Sequence, residues 1–502
     1  MLNSSSTQIY DLAVIGGGIN GCGIARDAVG RGLKVLLAEQ GDLAQGTSSA
    51  STKLIHGGLR YLEYYEFRLV REALSEREVL LRNAPHIIWP LRFVLPNNKA
   101  VRPAWLVRLG LFLYDHIGGR KCLAATQTIQ LQHHAEFGDP LKDNFKVAFE
   151  YSDCWVDDAR LVVLNALDAA QRGADIHVQT RCTGAKRVNG VWQVTLENQE
   201  TKQSANIQAR ILVNATGPWI DHLLHEVKAL PANKHNVRLV RGSHVIVPKL
   251  YAHDRAYFFQ NTDGRIMFAI PYEQNFTLLG TTDVDHHGSL KPVEITEQET
   301  QYLCDSASLY FKKPIERSSV VWTYAGVRPL YDDGASQAQA ATREYVLRVE
   351  DDAGQAPLLN VFGGKITTYR RLAEDALSKL QAWLPHASAE WTKDAALPGG
   401  EFAFEDRAKL VQQLQHDYPF VDQAWAESLM GRYGKRAWDL LGDAKNLADL
   451  GQALGASLTE REVDFLRKTE WAKDAESILW RRSKLGLHMT TEQRAAFQAW
   501  LQ

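Results

Sequence analysis

The first hundred residues alternate between unlike hydrophobic patterns. Leu12-Ala13-Val14-Ile15 is an unbroken apolar run, too short for a helix and closed by glycine. Such a run predicts a strand buried on both faces, as in a parallel sheet. Cys22-Gly23-Ile24-Ala25-Arg26-Asp27-Ala28 is made largely of small residues and predicts a closely packed helix. Lys34-Val35-Leu36-Leu37-Ala38 predicts a second buried strand. The charged stretch 67–83 predicts a surface helix of the first domain, and Pro85, Pro90 and Pro96 break the pattern after it.

Asp157 and Asp158 predict helix caps, with the helix running to about Arg172. Short strands are expected at 175–179, 184–188 and 191–197, the last two flanking the hairpin signal Asn189-Gly190. Ile211-Leu212-Val213 is another buried strand, running into the small-residue turn Asn214-Ala215-Thr216-Gly217. From 237 to 348, short β-like runs such as His244-Val245-Ile246-Val247 alternate with turns. They predict a separate antiparallel sheet that caps a substrate. Leu358 to Phe362 is a further strand, leading through Gly363-Gly364-Lys365 into a helix that reaches about Leu384. Beyond Leu397-Pro398-Gly399-Gly400, residues 401–502 carry helical periodicity. The class is α/β. The domain division expected is 1–90, 150–236 and 349–396 for a nucleotide-binding domain, 91–149 and 237–348 for the cap, and 397–502 for a helical C-terminal domain.

The first turn carries the chemistry. Gly16-Gly17-Gly18-Ile19-Asn20-Gly21 follows a strand, precedes a helix, and is followed 18 residues later by Glu39 at the end of the second strand. Gly16 allows the sharp turn, Gly18 the approach of a pyrophosphate, and Gly21 close helix–sheet packing. The helix N-terminus offers N–H groups to phosphate, and Glu39 can accept from a ribose diol. The Ser/Thr-rich stretch 46–52 then runs into Lys53-Leu54-Ile55-His56-Gly57-Gly58-Leu59-Arg60-Tyr61. Its small hydroxyl residues could wrap the phosphates and ribityl chain of FAD.

Composition narrows the class without naming it. With 502 residues, there is room for two to four domains of about 150 residues. The net charge of −2 gives no reason to expect nucleic acid. No apolar run reaches the roughly 18 residues of a membrane span, and the N-terminus lacks the features of a signal peptide. Five widely spaced cysteines without CxxC argue against disulfides and zinc, and read as buried hydrophobes in a reducing, cytoplasmic setting.

Six ordered segments, GGGINGCGIARDA, TSSASTKLIHGGLRYLE, EYSDCWVDDARL, NATGPW, WTYAGVRPL and FGGKITTYRRLAE, closely resemble the bacterial FAD-dependent, quinone-linked glycerol-3-phosphate dehydrogenases. The resemblance spans about 10–400 and continues into the C-terminal region. It implies a Rossmann-like FAD domain of the D-amino-acid-oxidase type, an antiparallel cap sheet and a helical C-terminal domain. It implies FAD as cofactor and sn-glycerol 3-phosphate as substrate, losing a hydride from C2 to the flavin to give dihydroxyacetone phosphate. It further implies electron transfer to ubiquinone or menaquinone, peripheral attachment to the inner face of the cytoplasmic membrane, and a homodimer. The residues it implies for FAD are Gly16, Gly18, Ile19, Asn20, Gly21, Glu39, Thr47, Ser48, Ser49, Lys53, Leu54, His56, Cys182, Ala215, Thr216, Gly217, Gly364, Lys365 and Thr367. No metal is implied.

That reaction needs three things from the protein. A phosphate dianion needs a grip best supplied by arginine. Arg328 and Arg343 are the first candidates and Arg60 the third, with Tyr61, Thr281 and Lys365 beside them. The C2 hydroxyl needs a base with a pKa near neutrality, and His56 is the candidate; the other reading is a histidine that only packs on the flavin. Charge on the reduced flavin and the developing oxyanion needs a cation, and Lys365 stands at a helix start. His56, Arg328 and Lys365 form the expected catalytic set. Two other readings stay open, a flavin oxidase of an amino or hydroxy acid using oxygen, and a non-catalytic FAD-binding protein. For lipid contact, Trp105, Leu106, Leu109, Phe112 and Leu113 can share a helical face flanked by Arg102, Arg108, Arg120 and Lys121. The bland alternative is a core helix of the cap. The basic segment Trp480-Arg481-Arg482-Ser483-Lys484 is a second candidate surface.

Overall fold

The computed structural model describes residues 8–98, 101–227, 235–332, 344–351 and 354–502. Strand β1 (Ile9–Ile15), helix α1 (Ile19–Gly30) and strand β2 (Val35–Ala38) form where the apolar runs place them. β1 sits centrally, parallel to β2 on one side and to Ser204–Asn214 on the other. Leu358–Phe362 extends the parallel set, Asp175–His177 flanks β2, and Val346–Glu350 closes one edge antiparallel. The hairpin Thr180–Val188 and Val191–Asn198 joins this sheet through Ser204–Asn214, and both turn residues, Asn189 and Gly190, have positive φ. One face is covered by α1, Asp158–Gln171 and Tyr369–Lys379, and the other packs against Trp192, Val194 and Leu223, so burial on both faces explains the runs without alternation.

The second sheet has ten strands, mostly antiparallel, around Val237–Pro248, Phe276–Gly280, Ile266–Tyr272 and Ala256–Gln260. Its composition corrects the expected boundaries. Ile88–Pro96 and Val147–Val156 pair along their whole length, Ile88 opposite Val156 and Pro96 opposite Ala148, and both belong to this sheet together with Leu54–Ile55. The helix does end at Asn83, before Pro85, but Pro90 lies inside the strand that follows and Pro96 ends it. On its far side that strand meets a neighbour only at Phe93 and Val94, so the missing N–H groups cost no ladder bond there. Val346–Glu350, part of which was assigned to the cap, lies in the first sheet.

The C-terminal region folds as helices around its own core, with Leu429, Met430, Tyr433 and Leu466 fully buried. The helix Phe67–Asn83 is at the surface on one side, with Arg68, Arg71 and Ser75 exposed, but its other side is buried, where Glu76 and Arg77 pair with Arg370 and Asp153. Four of the five cysteines are buried, but Cys122 is exposed.

Candidate active site

A cavity of about 690 Å³ runs between the two sheets. Its first end is made by the C-terminal edge of the parallel sheet. Gly16, with φ of +114°, turns the chain off β1, and an added Cβ would lie 2.4 Å from the carbonyl oxygen of Ala215. A Cβ on Gly21 would lie 1.9 Å from the carbonyl oxygen of Gly16, so α1 can pack here only with glycine. Gly18 caps α1 and opens to the cavity, where the Ser48 hydroxyl accepts from the Ile19 N–H at 3.0 Å. Glu39 accepts from the N–H groups of Gly17 and Gly41 at 2.7 and 2.8 Å. Burial raises its pKa against those two bonds.

The second glycine turn is tied to the first. Asn20 Nδ2 donates to the carbonyl of Gly363 at 3.0 Å, while Asn20 Oδ1 is buried without a partner. Thr367 Oγ1 accepts from the backbone N–H of His56 at 3.3 Å. The N–H of Gly57 donates to Tyr114 Oη at 2.7 Å, and that hydroxyl donates to Asp153, which also pairs with Arg77. His56 is thus held from two sides. Its imidazole faces the cavity, and burial, followed by Lys365 and Arg77, pushes its pKa down to about 4. A pKa near neutrality was expected; the structure keeps the ring neutral instead.

Arg60, Tyr61, Thr281, Arg328 and Lys365 line the same cavity. Lys365 Nζ lies 3.7 Å from the centre of the Tyr61 ring. Arg328 donates to Thr281 Oγ1 at 3.3 Å and pairs with Asp283, a carboxylate the sequence analysis passed over. Asp153 and Arg265 line the cavity as well and were also missed. Asp153 lay in view within the EYSDCW segment and Asp283 directly follows Thr281-Thr282, but neither carries a local pattern that marks it. Thr47, Ser48, Leu54, Cys182, Ala215, Thr216, Gly217 and Gly364 line the cavity, and burial pushes the Cys182 thiol up to about 11, which keeps it inert. Ser49 does not line it. Lys53 departs from its expected place: its ammonium is buried against Asp158 at 2.8 Å and donates to the Ser49 carbonyl. An ammonium that deep needs a carboxylate, and Asp158 supplies it. Arg343 lies outside the described residues.

These residues fit FAD. The N-terminus of α1, the Ser48 hydroxyl and the unpartnered Asn20 oxygen suit a diphosphate and its sugars, and each Glu39 oxygen keeps a lone pair for a ribose. The FAD dependent oxidoreductase family matches residues 11–370. The chain belongs to that family. Residues 390–502 match the C-terminal domain of alpha-glycerophosphate oxidase. Among relatives of the family, the D-erythritol 1-phosphate dehydrogenase of Brucella abortus is 53% identical, covering 98% of each chain. The glycerol-3-phosphate dehydrogenase of Pseudomonas aeruginosa is 51% identical, over 99% of this chain and 95% of that one. A solved structure, the glycerol-3-phosphate dehydrogenase from Bacillus halodurans complexed with FAD, superposes with a TM-score of 0.77 at 24% identity. It covers 99% of this chain and 94% of that chain, and shows the same fold. As a family member this chain is an FAD-dependent oxidoreductase, in the group of the bacterial glycerol-3-phosphate dehydrogenases.

Proposed function

We propose that the protein oxidises sn-glycerol 3-phosphate at C2 to dihydroxyacetone phosphate and delivers the electrons to a membrane quinone. One observation carries this reading: the cavity that begins at the α1 N-terminus also holds neutral His56 beside Arg60, Arg328 and Lys365. When bound, FAD takes the hydride. The protein supplies the rest. Arg328 and Arg60 grip the phosphate, with Arg328 exchanging part of its pairing with Asp283 for the dianion. His56, already unprotonated, accepts the C2 hydroxyl proton as the hydride leaves, so no free alkoxide forms. Lys365 stabilises the developing negative charge, and Thr281 contacts the polyol. The 53% identity to a D-erythritol 1-phosphate dehydrogenase supports a second reading, a longer polyol phosphate held by the same cations.

Among the described residues, no helix is long and apolar enough to cross a membrane. The helix Ala104–Ile117 favours attachment at the surface. Its inner face buries Val107, Leu111 and Tyr114, while Trp105 is 68% exposed and Phe112 50%, with Leu106 and Leu109 also outward. Four of the five side chains expected to face lipid are exposed, which supports this reading; Leu113 is only partly exposed. The C-terminal basic segment does not contribute, because Arg481, Arg482 and Lys484 are buried. A homodimer, implied by the family resemblance, is part of the proposal and is read from the molar mass of detergent-solubilised holoenzyme.

The deciding experiment follows the visible flavin band anaerobically. Bleaching by sn-glycerol 3-phosphate but not by glycerol supports the proposal. Preferential bleaching by D-erythritol 1-phosphate moves the substrate to the longer polyol. Bleaching only by amino or hydroxy acids, with fast reoxidation by oxygen, would make it an oxidase. An FAD-loaded protein inert to all of them would be a non-catalytic binder.

A further inference from the structure

The segment 480–484 looked like an exposed basic patch and is instead enclosed between domains. The π-helical turn Ser477–Arg482 of the C-terminal domain packs against the helix Asp158–Gln171 of the flavin domain. Arg482, with no exposed surface, donates through both terminal nitrogens to the two oxygens of Asp42 at 2.8 and 2.7 Å. Arg481 donates to the same carboxylate at 2.5 Å. Burial alone would raise the Asp42 pKa, but the two guanidiniums hold it below the usual carboxylate range. Two residues on, Lys484 donates to Asp157 at 2.6 Å. Trp480 stacks on Trp322 of the second sheet, ring centres 4.3 Å apart.

Each of these contacts backs a loop of the cavity. Asp42 lies in the turn after β2, where Gly41 N–H bonds Glu39 and Ala44 N–H bonds the carbonyl of Gly17. Asp157 precedes Asp158, which holds the backbone and hydroxyl of Ser51 and the ammonium of Lys53. Tyr324, two residues from Trp322, donates to the carbonyl of Ser51. A single segment of the C-terminal domain therefore supports both loops, 41–45 and 47–53, through Asp42, Asp157 and Trp322, none of which lines the cavity. We infer that the C-terminal domain is a working part of the FAD site, with Arg482 as the positioning residue that holds the Glu39 loop ready for the adenosine end of the cofactor. The loops have lost their freedom before FAD arrives, so the cofactor's binding energy is not spent on ordering them. Thermodynamic linkage makes the effect reciprocal: bound FAD must tighten the docking of residues 477–484.

The test is FAD binding to the full-length apoprotein, followed by flavin fluorescence. Arg482→Gln is expected to raise the FAD dissociation constant at least tenfold, and Arg482→Lys, which keeps one charged donor on Asp42, by less. Arg436→Gln is the comparison, since Arg436 joins the buried pair with Glu470 but touches neither loop. If the Arg482→Gln and Arg436→Gln proteins are equally destabilised to heat and lose FAD affinity equally, the effect is general loosening and the inference fails. It also fails if Arg482→Gln folds and binds FAD within twofold of the unaltered protein. Should that variant not fold, hydrogen exchange on the unaltered chain decides. Removing FAD should speed exchange at 477–484 at least tenfold, and unchanged exchange there overturns the proposal. Neither readout depends on the substrate.

Discussion

The role proposed for His56 requires a neutral ring when the substrate arrives, and its surroundings keep it so. With a pKa near 4, set by burial and then by Lys365 and Arg77, the proposed base is unprotonated throughout neutral pH. The sign follows directly. The reductive rate at low substrate should be flat near neutrality and fall as pH drops through about 4, where the ring takes up a proton. His56→Gln should keep its FAD and lose roughly 10²- to 10⁴-fold in flavin reduction, the usual worth of a positioned base. Stopped-flow reduction of the variant at normal FAD content checks this, and near-normal reduction would remove His56 from the role. Arg328 differs, because the role proposed for it is binding. Losing a charged hydrogen bond of about 1.5–3 kcal/mol should raise the half-saturating substrate concentration of Arg328→Ala by roughly 10- to 150-fold. An unchanged value would place the phosphate elsewhere.

Helix α1 and the helix Ala104–Ile117 show how elements set what those residues can do. α1 brings its N-terminus to the cavity only because nothing larger than hydrogen separates Gly21 from Gly16. Gly21→Ala pushes the helix off the sheet. The purified variant should contain FAD at well under a tenth of the normal stoichiometry, measured by released flavin absorbance. The helix Ala104–Ile117 works in two directions. Tyr114 on its inner face bonds the Gly57 N–H beside His56, and its outer face presents apolar side chains. Burying a large apolar side chain is worth about 1.5–3 kcal/mol. Trp105→Gln combined with Phe112→Gln should therefore lower partitioning onto vesicles of anionic lipid at least tenfold in sedimentation assays, with flavin reduction in detergent retained. Unaltered partitioning would move the lipid contact to another surface.

Across the whole molecule, buried ion pairs join the C-terminal domain to the flavin domain. Glu470 lies with no exposure between Arg160 of the flavin domain and Arg436. Burial would raise its pKa, yet the two arginines pull it down from 4.5 to about 2. A depressed carboxylate contributes stability above its unfolded pKa and loses it as pH falls. Domain docking should therefore weaken between about pH 4.5 and pH 2. Glu470→Gln leaves two buried guanidiniums short of a partner and should cost about 3–5 kcal/mol at neutral pH. The gap from the unaltered protein should narrow as pH falls through that window, as thermal melts across pH would record. A constant gap would assign the loss to packing alone.

What the sequence alone determined is local. The β1–α1–β2 unit was legible because buried strands, glycine spacing and a terminal acid are all written within about thirty residues, and the chemistry of phosphate binding needs them in that order. The Asn189-Gly190 hairpin and the strand Leu358–Phe362 were legible for the same reason. Tertiary structure decided what depends on partners distant along the chain. Prolines that read as breaks lie inside Ile88–Pro96, because that strand has a full neighbour on one side only. Lys53 left the expected cofactor set for Asp158, and Arg328 acquired Asp283. The run Trp480 to Lys484 carries the charge of a surface patch, but its cations are buried, because Asp42 and Asp157 wait 440 and 327 residues earlier. A charged side chain states what it can bind; only the fold states which opposite charge it meets and how far water is excluded from both.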